Sequence, residues 1–97
     1  MAVEVIKMAW RIVKQPNGLY ARFSEIVDDF TEYDMTKEET ISICINQYDC
    51  GKQTAEDKIQ RAVDNPGRYE EAMDIVEKIH GKKEVEERRA MLTAKSL

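Results

Sequence analysis

VIKMAWRIVKQPNGLYARFS, residues 5–24, decides the fold. Residues 5–14 are rich in branched and aromatic side chains, and Gln15-Pro16-Asn17-Gly18 interrupts the run before it is long enough for a helix, so it reads as a strand over about 8–15. Pro16 starts a turn, and Asn17-Gly18 tolerates positive φ at low cost, so the chain reverses into a second strand, LYARFS, 19–24. Alternation places Trp10 and Ile12 on one face of the first strand. On the second it sets Tyr20 and Arg22 opposite Leu19, Ala21 and Phe23. A two-stranded ribbon is marginal alone, so one face must pack on something. Residues 26–31, IVDDFT, read as a third short strand after a bend near Ser24-Glu25, with a helical turn capped by Ser24 as the alternative.

Downstream the hydrophobic period changes from strand to helix. Thr36-Lys37-Glu38-Glu39 fits a capping box, and Ile41, Cys44, Ile45 and Tyr48 follow as one apolar stripe, so a helix is expected over 37–49 with Gly51 ending it in the left-handed conformation. A second helix, 53–64, carries Ala55, Ile59, Ala62 and Val63 and stops at Asn65-Pro66-Gly67. A third, 68–80, carries Tyr69, Ala72, Met73, Val76, Ile79 and His80 and stops at Gly81. The last, 83–94, is helical by propensity but has only Val85, Met91 and Leu92 to bury, so it is expected to fray or to dock on a partner, a homodimer being one form of this. The fold class is therefore α+β: an N-terminal antiparallel hairpin or three-stranded sheet, about 8–31, followed by three to four short helices, all within 1–97 as a single domain.

The 97 residues carry a net charge of −4, which argues mildly against nonspecific phosphate binding. The first residues hold no apolar run suited to a signal peptide or membrane span. With only Cys44 and Cys50, reduced thiols in a cytoplasm are the expectation. The charge is unevenly placed, because residues 25–39 hold seven acids and one base. Glu25, Asp28, Asp29, Glu32 and Asp34, interleaved with Phe30 and Tyr33, form an acidic face suited to a basic partner; a solvated edge that blocks sheet-to-sheet aggregation is the plainer reading. A metal site needs convergent carboxylates, whereas a strand turns Asp28 and Asp29 to opposite sides, and no calcium-loop spacing occurs. No metal or other cofactor is expected.

Cys44, Cys50 and His80 lack the paired spacing of a zinc site. Cys44 reads as a small core residue, Cys50 as a partly exposed thiol and His80 as a helix-end residue; a Cys50–His80 thiol mechanism would lack an orienting third group. No phosphate-binding glycine loop or serine-nucleophile motif is present, so an enzyme is disfavoured. The competing surface is the basic hairpin. Lys7, Arg11, Lys14 and Arg22 lie on it, and alternation leaves Lys7, Arg11 and Arg22 on an exposed side where a ribbon could enter a major groove, so Arg11, Lys14 and Arg22 are the candidate nucleic-acid contacts.

Two resemblances accompany these residues. WRIVKQPNGLYARFSEIVDDFTEYDMTKEE, 10–39, and RYEEAMDIVEKIHG, 68–81, resemble small proteins encoded by phages and prophages that have no assigned activity. That resemblance implies an accessory protein acting in a bacterial host cell, where such proteins bind host machinery or block anti-phage defence, an anti-CRISPR-like inhibitor being one form. Residues 8–49 are also similar, in order of elements, to the arm-type DNA-binding domain of tyrosine recombinases: a hairpin with an Asn-Gly turn, a third strand, then a helix opening with Thr-Lys. This chain departs from that pattern at Asp28 and Asp29, whose charge would repel phosphate. The expectation that follows is a noncatalytic module whose acidic face meets a basic host protein, with nucleic-acid binding by the hairpin as the alternative.

Overall fold

The computed structural model describes residues 10–94; the proposed start of the first strand at residue 8, and Lys7, lie outside them. Three strands, β1 (Trp10–Lys14), β2 (Tyr20–Ser24) and β3 (Asp29–Met35), precede four helices, α1 (Lys37–Gln47), α2 (Lys52–Asp64), α3 (Arg68–His80) and α4 (Lys82–Thr93). The sheet is antiparallel in the order β1-β2-β3, so the architecture is α+β with a three-stranded sheet. The hairpin closes where Gly18 N–H donates to the Gln15 carbonyl and Gln15 N–H to the Leu19 carbonyl. Only Gly18 takes positive φ there, while Asn17 uses its Oδ1 to accept from Leu19 N–H.

The third strand lies further along the chain than its composition suggests. Residues 25–28 form the connecting turn, with Asp28 at φ 53, and pairing runs from Asp29 to Met35 rather than over 26–31. Ile26 and Val27, read as strand residues for their branching, instead stand exposed on the turn. β3 has two irregularities: Tyr20 pairs Met35, Arg22 pairs Glu32 and Phe23 pairs Phe30, so β3 uses extra residues at both steps. Each extra residue inverts the alternation. Phe30 therefore packs edge-on against Phe23, while Glu32, two residues on, faces the opposite side with Arg22.

Both faces of the sheet are covered, where the sequence asked for only one. Val13, Ala21 and Phe23 join Tyr69, Met73, Val76, Val85 and Leu92 beneath α3 and α4. Trp10 and Ile12 join Cys44, Ala55, Ile59 and Ala62 beneath α1 and α2. Full burial of side chains such as Phe23, Ile12 and Met73 contributes about 1.5–3 kcal/mol each. The final helix docks on this chain's own core through Val85 and Leu92, so the argument that they need a partner falls away, while Met91 stays exposed.

The helix starts follow local chemistry. Thr36 Oγ1 accepts from Glu39 N–H, and Glu39 returns a carboxylate oxygen to Thr36 N–H, completing the capping box. The end of α1 differs from expectation: the helix stops at Gln47, Asp49 takes the left-handed position at φ 55, and Gly51 is extended and opens α2. Each apolar stripe is also narrower than its sequence. Ile45, Val63 and Ile79 are exposed, and the buried side of α1 includes Thr40, whose hydroxyl donates to the Thr36 carbonyl. α3 ends at Gly81, whose φ of 98 and ψ of 167 belong to a region open almost only to glycine.

Candidate functional site

Four of the five candidate acids are engaged by partners within the chain. Glu25 pairs with Arg11 across the hairpin end. Asp29 accepts two bonds from Arg88, at 3.0 Å to Nε and 2.8 Å to Nη2. Burial pushes the Asp29 carboxyl up, but the Arg88 hydrogen bonds, the Phe30 N–H and nearby positive charge outweigh it and hold Asp29 below its ordinary value. Glu32 accepts from the Tyr48 hydroxyl at 2.6 Å, and burial followed by that bond raises the Tyr48 phenol. Asp34 accepts from Gln15 and Asn17 at 2.8 and 3.1 Å. Asp28 alone of the five has no side-chain partner recorded among the described residues; its backbone carbonyl, with that of Val27, accepts from His80 Nε2–H at 3.1 and 3.2 Å.

The face expected to dock a partner thus shrinks to the turn at 25–28. Its ends are fixed by Arg11–Glu25 and Arg88–Asp29, and its middle by His80. Ile26 and Val27, 57% and 51% exposed, stand between Glu25 and Asp28. Sequence reasoning passed over both because their branching matched a strand. His80 does end a helix, but it serves this turn rather than the carbonyls of α3.

The basic hairpin is corrected more sharply. Arg22 is only 7% exposed, so it is no surface contact for a major groove. Its guanidinium lies 3.6 Å from the Tyr48 ring centroid and 4.6 Å from that of Trp10, and Nη1 donates to Thr31. Strand alternation alone set Arg22 beside Trp10, and α1 and α2 then covered that face. Arg11 is engaged by Glu25 and, at 3.9 Å, by Glu71, leaving Lys14 half-buried and without a recorded ion pair among the described residues.

Behind this stack a cavity of 770 Å³ opens between the sheet, α2 and the α1–α2 loop. Arg22, Lys58 and Arg61 supply cations, Trp10 and Tyr48 aromatic surface, and Asp49 and Asp57 opposing charge. Lys58 Nζ sits 4.2 Å from the Trp10 ring centroid, and burial pushes its ammonium pKa down. Cys50 also lines the cavity, whereas Cys44 lies in the core, where burial raises its thiol to about 11. Cys50 and His80 belong to segments covering opposite faces of the sheet and form no nucleophile–base pair. Among the described residues no group of three His, Cys, Asp or Glu side chains is placed to hold a metal ion. No described helix is long and apolar enough to cross a membrane.

Comparison with family models, curated proteins and solved structures gave no match.

Proposed function

We propose that the protein is a noncatalytic binding module that sets its 25–28 turn against a basic surface of a host protein. The specific form is a phage or prophage accessory protein acting as an anti-CRISPR-like inhibitor of host defence. The carrying observation is the pair Ile26 and Val27, exposed on a turn held at both ends by ion pairs. A turn already fixed loses little further conformational freedom on docking, and two branched side chains supply apolar area to desolvate. Glu25 and Asp28 beside them favour a positively charged partner, mainly by raising the encounter rate and rejecting acidic surfaces.

Asp28 is the residue that tests the charge. Reversing Asp29 would break the Arg88 bridge and confuse loss of fold with loss of contact, whereas Asp28→Lys changes a side chain without a recorded partner. Immobilised wild type should retain a protein from nuclease-treated bacterial lysate that Asp28→Lys retains weakly or not at all. Recovery that disappears with nuclease and ignores the substitution would replace this reading with nucleic-acid binding, for which Lys14 and the partly engaged Arg11 remain on the hairpin.

A further inference from the structure

We propose that the cavity beneath Trp10 and Tyr48 binds a small organic phosphate monoester of nucleoside-monophosphate size, its anion held by Arg22, Lys58 and Arg61. A volume of 770 Å³ is in the range of small-molecule sites, and its mixed aromatic and polar lining suits a ligand with an uncharged body and a charged end.

Arg22 supplies the first argument. The side chain is more than nine-tenths buried, Nε has no acceptor, and Nη1 gives its hydrogen bond to Thr31. Glu32, at 3.8 Å, is already accepting from Tyr48 and Thr31. Glu32 offsets part of the cost of burying the guanidinium, and an anion in the adjoining cavity would offset more. Lys58 faces the same space, half-buried over Trp10, with no ion pair recorded among the described residues. Its lowered pKa reflects burial, and an anion beside it would restore the charged form.

The second argument is the start of α2. Gly51 is its N-cap and lines the cavity, no side chain caps the first turn, and the place of a Gly51 Cβ is open space. Free N–H groups at a helix start are donors for phosphate oxygens. Asp49 and Asp57 lie on the same wall, with Asp57 accepting from Gln53. Arg22, Lys58 and Arg61 stand with Asp49 and Asp57 on the wall and Glu32 beside Arg22, so the site carries little net charge, which disfavours the greater charge of a triphosphate.

Trp10 is the only tryptophan in the chain and lines the cavity, so its fluorescence reports on the site. The full chain is titrated with AMP, CMP, GMP and UMP, with inorganic phosphate, and with adenosine as an uncharged control. A saturable change with at least one monophosphate is expected, with adenosine inert. Affinity should fall roughly tenfold or more in Lys58→Met and in Arg61→Gln, the loss of one charge-assisted contact, while the urea midpoints of both variants show that they remain folded. Absence of a saturable response to every monophosphate and to phosphate would overturn the proposal. So would equal affinity in both folded variants.

Discussion

Gln15 holds three separate segments with one side chain. Its Nε2 donates to the Leu92 carbonyl at 3.0 Å and to Asp34 at 2.8 Å, and its Oε1 accepts from Asp34 N–H at 2.7 Å. The hairpin end, the irregular end of β3 with Asp34 at φ 59, and the end of α4 therefore meet at one buried amide. Gln15→Ala should lower unfolding free energy by about 1–3 kcal/mol, since it removes a buried bond to the Leu92 carbonyl and a part-buried one from Asp34 N–H; an unchanged urea midpoint would refute this role. Asp29 makes a second, pH-dependent test. Its folded pKa is depressed, so its contribution is present above the ordinary aspartate value near pH 4 and is lost as pH falls through the lower folded value. Arg88→Met should therefore cost about 1–2 kcal/mol at neutral pH and have less effect once Asp29 is protonated, measured by urea unfolding across that interval. Neither residue announces itself in the sequence. Gln15 reads only as part of a turn, and Asp29 reads as part of an acidic run because Arg88 lies 59 residues away.

At the scale of elements, legibility followed how local the cause was. The capping box at Thr36 and Glu39, the hairpin turn and the stop at Gly81 are made by neighbours in sequence, and all are present. The third strand expected at 26–31 is present but displaced to 29–35, because branching in Ile26 and Val27 favours a strand while the acids beside them favour a turn. The irregularities of β3 were invisible, since an extra residue is recognised only against its pairing partner. α4 differs from expectation for a related reason: Val85, Met91 and Leu92 look too few until the face they meet is known. Leu92 is completely buried in the core cluster it shares with Val13, Phe23 and Met73, so Leu92→Ala should destabilise by about 2–4 kcal/mol and lower the thermal midpoint. A loss well below 1 kcal/mol would mean that α4 is dispensable to the core.

For the whole molecule, the decisive feature is a small sheet covered on both faces. β2 shows the alternation of a half-buried strand, yet the side carrying Tyr20 and Arg22 is covered by α1 and α2, less tightly than the side carrying Ala21 and Phe23 is by α3 and α4. Covering both faces draws charge inward. Arg22 becomes part of an aromatic stack, and most of the acidic block becomes structural. What remains outward at that end is the 25–28 turn, and the account stands or falls on it. The most direct measurement compares wild type with Ile26→Ser/Val27→Ser in capture from nuclease-treated bacterial lysate, with the retained protein quantified and the fold of both forms checked by urea unfolding. The account expects the variant to keep its stability within about 0.5 kcal/mol, because both side chains are exposed, and to lose the protein that wild type retains. Equal retention by the folded variant would contradict it.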